Sequence, residues 1–430
     1  MITPLPEPAR IPDPRAKRLV ATLYAYAFLD DFVLLYPVYV LLFAHIGLSV
    51  AQISSLFIIW SVTGFALEVP AGVWADAVSR RLLLAVGPLL SAAGFALWIG
   101  IPSYWAFAAG FVLWGAQGAL VSGAMEALVY EELDRFGAAG RYAKTMGRAH
   151  AAGVGAAMAA TALAGPVLAV GGYVAVGVAS VLARLVCAAI ATAFSEHRPR
   201  DWPDEAAAEP GPSGDAAAGP AGSGYIQALR SGLHEARTDR SVLRAMLLVP
   251  AVTAVWGALE EYDPLLAKST GVAARTVPLL VLLISAGVTV GGLLAAAGQQ
   301  MTRTALAGTL AFGGLALAAG ALSGRPAGFI LVAAAFCVFQ LASVLADARL
   351  QARITGPSRA TVTSLAGLGT ELATVLVFGT YAAASTFARH GTIFAFFAVP
   401  YLAVAAVLAH SGCKRTLRNE AGPARPDLPK

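Results

Sequence analysis

Residues 68–81 read EVPAGVWADAVSRR, a short polar hinge between two long apolar runs, 51–71 and 82–100. Each part of it has a physical use. Gly72 lets two helices approach closely. Asp76 sits where a carboxylate can meet the N-terminus of a neighbouring helix, at which partial positive charge collects. Arg80 and Arg81 resist transfer into hydrocarbon and hold the loop at a membrane surface. The plain reading is anchoring. The sharper reading is a latch that fixes one conformation, and the spacing of Gly72, Asp76, Arg80 and Arg81 favours it.

The rest of the chain supplies the membrane that this hinge needs. Of 430 residues, 58% are hydrophobic and 13% charged. Soluble domains average roughly 45–50% apolar and about 25% charged. A soluble enzyme, a disordered chain and a disulfide scaffold are excluded. Cys187, Cys337 and Cys413 stand far apart, with no Cys-x-x-Cys or Cys/His spacing. The sequence therefore predicts no metal site and no cofactor.

Apolar runs broken by polar punctuation predict twelve spans. These are 19–43, 51–71, 82–100, 104–130, 145–169, 172–194, 244–267, 276–298, 303–322, 327–350, 359–385 and 391–411. Each approaches the roughly 20 residues that cross a bilayer. Of the 30 basic residues, all but Arg184, Lys268, Arg275, Arg325 and Arg389 fall in one alternate set of gaps and the two tails. That asymmetry puts both termini in the cytoplasm. It also explains the net charge of +5 without nucleic acid.

The expected organisation is a cytoplasmic tail, 1–18; a six-helix bundle, 19–194; a linker, 195–243; a second six-helix bundle, 244–411; and a tail, 412–430. Between Asp201 and Gly224 the linker is rich in Ala, Pro and Gly, a flexible composition. Ile226, Leu229 and Leu233 then recur at helical spacing. They suit an amphipathic helix on the inner membrane surface or, equally, a solvated lead-in to span seven. The halves echo each other: Leu29-Asp30-Asp31-Phe32 with Pro37, against Leu259-Glu260-Glu261-Tyr262 with Pro264. Such a parallel repeat is a transporter feature.

With the hinge and the six-plus-six layout together, the chain resembles the major facilitator superfamily (MFS). The family hinge carries Gly, then Asp, then a basic cluster, matched by Gly72, Asp76, Arg80 and Arg81. Ala77 replaces a frequent arginine and Ser79 a frequent glycine. EVP at 68–70 and SGAMEALVYEEL at 122–133 resemble bacterial twelve-span drug and metabolite exporters. Many proton-coupled exporters carry an arginine in span four where LWGAQG places Trp114. Gly165-Pro166 and Gly171-Gly172 resemble, with wider spacing, a pair common in antiporters. The second-half hinge, GQQMTRTALAG at 298–308, is degenerate. The resemblance implies an all-α membrane protein with twelve transmembrane helices in two six-helix pseudo-repeat halves, working by alternating access in the bacterial cytoplasmic membrane.

Charges inside spans are costly and mark pathways or pairs. The candidates for proton coupling or a substrate cavity are Asp30 and Asp31 in span one, Glu260, Glu261 and Asp263 around span seven, Glu126 in span four and Glu371 in span eleven. Neighbouring helical residues diverge by about 100°, so Asp30 and Asp31 cannot both serve one point. Glu68 and Asp347 read as structural or gate residues. Arg184, central in span six, reads as one half of an ion pair. Tyr26, Tyr36, Trp256 and Tyr262 are candidate aromatic faces for an amphipathic or cationic substrate.

The favoured function is proton-driven export of a small amphipathic molecule, a drug or metabolite. Uptake or facilitated transport of a small solute stays open. A polytopic transferase is the distant alternative, since adjacent acids can hold magnesium. No phosphate-binding P-loop, His-Glu-x-x-His or Gly-x-Ser-x-Gly motif is present, so no enzyme is expected. The expected partners are membrane lipids, a small-molecule substrate and protons, with no nucleic acid. One chain suffices for a complete path, so a monomer is expected.

Overall fold

The computed structural model describes residues 14–196, 240–354 and 359–420. All regular elements among them are helices. Two compact units divide the chain, Met1–Ala221 and Gly222–Lys430. The predicted amphipathic helix and nearly all of the linker lie outside the described residues.

The first unit contains α1 (Pro14–Asp31), α2 (Tyr39–His45), α3 (Val50–Ala77), α4 (Arg80–Gly100), α5 (Tyr104–Val121), α6 (Ala124–Arg135) and α7 (Tyr142–Ala191). The second contains α8 (Arg240–Glu260), α9 (Asp263–Ser269), α10 (Val277–Gly298), α11 (Arg303–Leu322), α12 (Phe329–Gln351), α13 (Arg359–Ala384), α14 (His390–Phe396) and α15 (Val399–Glu420). α1 begins within the stretch read as a tail.

Ten stretches of the described residues are long and apolar enough to cross a membrane, against the twelve expected. Two local features account for the difference. Spans five and six are joined without a loop in α7, which turns at Gly172 with φ of 64°, a value that suits glycine. Span one is split, because α1 stops at Asp31 and α2 starts at Tyr39. Pro37 has no N–H to give and its ring would strike the carbonyl four residues back. The Leu35 N–H finds the Ser180 hydroxyl of α7 instead, at 3.0 Å.

Span seven breaks in the same place. α8 ends at Glu260, and α9 starts at Asp263 with Pro264 in its first turn. The echo between the acidic pairs is therefore an echo of backbone: each is followed by a proline-associated helix break. Packing repeats as well. Within the first unit α3 packs on α5, α4 on α5 and α7, and α1 on α7. In the second, α10 packs on α12, α11 on α12 and α15, and α8 on α13.

The first unit has an aromatic core. Tyr39, Phe43, Phe57, Phe95, Trp98, Phe107 and Phe111 are buried together. The Trp98 indole N–H donates to the Phe107 carbonyl at 3.1 Å, so its polar edge is satisfied. In the second unit α10 and α12 touch through small residues. A Cβ at Gly287 or Gly291 would strike the backbone carbonyl of Ala333 or Cys337. Backbone cannot move aside as a side chain can, so Gly291→Ala should cost about 1–3 kcal/mol of stability. Gly64 has nothing within 4 Å of an added Cβ. Melting temperatures in micelles should fall for Gly291→Ala and hold or rise for Gly64→Ala. Equal effects would contradict this packing.

Candidate functional site

The charges inside the first unit converge on Arg184, whose side chain is 1% exposed. It comes from the second arm of α7. Its Nη1 pairs with the Asp30 carboxylate of α1 and donates to the Asp30 carbonyl at 2.6 Å. Its Nε donates to Ser91 Oγ of α4 at 2.8 Å, and its Nη2 to Gln117 Oε1 of α5 at 3.0 Å. A planar guanidinium with five donors can tie several helices at once. The ion pair expected of Arg184 is present, and Asp30 is its acid.

Asp31 points elsewhere, as the helical angle requires. Its Oδ2 occupies the space where a Cβ at Gly153 of α7 would lie. Gly153 is thus a seat for a half-buried carboxylate. Tyr26 is fully buried and donates to the Leu84 carbonyl at 3.1 Å. Tyr36 is half-buried and stacks on Trp114, ring centres 5.2 Å apart. Trp114 stacks in turn on Trp60 at 4.9 Å. These three rings form a column with partly open faces. Glu126 lies exposed in the first turn of α6.

In the second unit the corresponding junction is neutral. Tyr401 of α15 accepts from the Trp256 backbone N–H at 2.9 Å and donates to the Val252 carbonyl at 3.3 Å. The Trp256 indole N–H donates to Ser343 Oγ of α12 at 3.0 Å. Trp256 is 8% exposed, and Tyr262 is fully buried. Of the four candidate aromatics, then, three are packed into helix junctions and Tyr36 keeps an open face. Glu371 and Glu260 are exposed and Glu261 is half-buried. Asp263 is fully buried, and neither carboxyl oxygen has a hydrogen-bond partner among the described residues. Tyr262 stacks flat on Tyr381, 3.6 Å between centres, and Tyr381 Oη shares a 2.7 Å hydrogen bond with His390 Nδ1.

At the hinge, Gly72 and Asp76 occupy the last turns of α3, and Arg80 opens α4. Arg80 pairs with Glu131 of α6. A carboxylate does meet a helix N-terminus here: Glu196, just beyond α7, takes the Arg80 N–H at 2.8 Å, the Arg81 N–H at 3.4 Å and the Ser79 hydroxyl. Ser195 beside it donates to Glu132 of α6 at 3.1 Å. Sequence reading missed Glu131, Glu196, Ser91, Gln117, Tyr381 and His390. The one local signal was Ser79, a strong N-cap residue placed just before an apolar run.

Apolar helices long enough to cross a bilayer, joined at polar contacts inside each unit, define a multi-pass membrane protein. The sequence pattern of the Major Facilitator Superfamily matches residues 20–378, and the chain belongs to that superfamily. Solved structures share the fold. The POT family transporter PepTSo is 14% identical, with TM-score 0.65, over 94% of this chain and 98% of that one. The nucleoside transporter NupG is 12% identical, with TM-score 0.64, over 93% and 99%. A D-xylose–proton symporter is 14% identical, with TM-score 0.62, over 91% and 96%. No curated protein matches.

Glu196→Ala removes the acceptor from three donors at the start of α4. Losing a helix cap costs about 0.5–2 kcal/mol. Its melting temperature should fall, and Glu196→Gln, which keeps an acceptor, should recover part of the loss. An unchanged melting temperature in Glu196→Ala would contradict the cap.

Proposed function

We propose that this transporter couples proton movement to export of a small amphipathic molecule, cycling by alternating access as a monomer. The surroundings of Asp263 carry the reading. A bare carboxylate buried without a partner costs several kcal/mol, whereas a neutral carboxyl costs less. The packing around Asp263 therefore suits the protonated acid, and a conformation that wets it would release the proton. Asp31, seated at Gly153, is the second carboxyl in this scheme, and Glu260, Glu261, Glu371 and Glu126 are further candidates. Asp30 is already committed to Arg184.

The substrate class rests on the column of Trp60, Trp114 and Tyr36. Half-buried aromatic faces suit flat or cationic amphipathic molecules. Trp114 also stands where similar exporters carry an arginine, so the coupling role falls to the carboxyls. Proton use is part of the name of the similar D-xylose–proton symporter. The hinge around Gly72, Asp76, Arg80 and Arg81 serves as the conformational latch. The basic gaps face the cytoplasm with both termini, in the bacterial inner membrane, and twelve spans complete the path.

The test is gradient collapse in inside-out vesicles. With an imposed pH gradient and a panel of amphipathic drugs and metabolites, a pH-sensitive dye should report collapse for at least one compound. Asp263→Asn should abolish that response, and Trp114→Ala should weaken it for aromatic compounds. Collapse that survives neutralisation of Asp31, Glu261 and Asp263 in turn would sink the coupling assignment.

A further inference from the structure

Asp263 is fully buried and has no route to solvent of its own. Three helix ends meet around it. α9, which Asp263 opens, packs against α14, which His390 opens. Tyr381 of α13 lies between them. It is fully buried, its ring stacks on Tyr262 and its hydroxyl is hydrogen-bonded to His390. His390 is only partly buried, so its imidazole reaches the surface at the 385–390 turn. From surface to interior the order is imidazole, phenol, carboxyl.

We infer that His390 and Tyr381 form a proton relay between the surface at the 385–390 turn and the buried carboxyl of Asp263. The inference rests on Asp263 being the proton-carrying group proposed above. The bookkeeping balances without any added reactant. A solvent proton binds His390 Nε2. The Nδ1–H bond then breaks as Tyr381 Oη takes that proton, and the phenol's original proton passes to an Asp263 oxygen. Imidazole is left neutral and phenol unchanged. The same steps in reverse return a proton to that surface, and release to the other side falls to the conformation that wets Asp263. Histidine suits the outer position because it takes and gives protons near neutral pH.

The final hop is open in this conformation, since neither Asp263 oxygen makes a hydrogen bond among the described residues. Asp263 follows directly on the break between α8 and α9. Closing the relay requires that short segment to bring an Asp263 oxygen within hydrogen-bond reach of Tyr381 Oη. The other charged groups nearby are Glu260, Glu261, Lys268, Arg275 and Arg389. Glu260 and Glu261, across the break on the α8 side, do act on Asp263 electrostatically, and Glu260→Gln and Glu261→Gln, which should leave the decay rate unchanged, are the controls for a route through them. Lys268 donates to its own loop, at the Val272 carbonyl, 3.1 Å. Arg275 and Arg389 are exposed on the flanking turns.

The experiment uses the whole protein in lipid nanodiscs and needs no substrate. The medium is stepped from acid to alkaline, and the carboxylic acid C=O band is followed by time-resolved infrared spectroscopy. The band lost in Asp263→Asn identifies the group. Tyr381→Phe keeps the ring stack and removes only the hydroxyl, and should slow decay of that band by at least about 100-fold, the lower end of what a positioned proton-transfer group contributes. His390→Gln should also slow it, and added imidazole should restore part of the rate. Decay at the wild-type rate in Tyr381→Phe, with the Asp263 band present, would overturn the relay and leave Asp263 standing. Absence of any band lost in Asp263→Asn would overturn the proton assignment and the relay together. Circular dichroism and melting of each variant separate these results from misfolding.

Discussion

A guanidinium placed in the middle of an apolar helix bundle must be neutralised and hydrogen-bonded, or the bundle will not close. Arg184 meets that constraint by drawing Asp30, Ser91 and Gln117 to one point. Those residues come from α1, α4 and α5, so one side chain fixes the positions of four helices. The cost of a buried pair is recovered only when the spare donors and acceptors are also satisfied, and here four hydrogen bonds hold the guanidinium. The second unit solves the same joint without charge. Its last helix sends Tyr401 to the first helix, and Trp256 reaches across to Ser343. The halves thus share topology while differing in electrostatics. The first commits an acid to architecture. The second buries Asp263 with no hydrogen-bond partner among the described residues.

The two broken spans make that difference useful. A helix interrupted by proline exposes backbone polar groups, which membrane interiors tolerate only where protein re-satisfies them. Ser180 does this at Leu35. Each break follows directly on an acidic pair, so carboxyls sit beside the segments most able to bend.

Much of this was legible in the sequence, and its limits have a physical reason. Composition and run length reveal a polytopic helical protein because burial in lipid demands apolar stretches everywhere. The repeat showed in Asp30-Asp31 and Glu260-Glu261 because prolines and acids are rare enough in spans to stand out. Arg184 was readable as half of a pair, since an isolated charge there is untenable. Its partner was not readable. Arg184 and Asp30 are 154 residues apart, and facing depends on helix rotation that no local pattern encodes. Glu196 was invisible for the same reason: it caps a helix that begins 116 residues earlier. Spans five and six were expected to part between 169 and 172, and α7 turns there at Gly172 without a loop. Tyr26, Trp256 and Tyr262 were candidate substrate faces, with ordinary helix packing as the plain alternative, and the structure buries all three in helix junctions.

The central claim is that Arg184 and Asp30 act as one unit in holding the first bundle. A double-mutant cycle of Arg184→Leu and Asp30→Leu, measured by reversible denaturation in mixed micelles, tests it directly. The account predicts that each single change destabilises strongly and that the double variant recovers much of the loss, a coupling of about 2–3 kcal/mol. Additive effects, within about 0.5 kcal/mol, would contradict it.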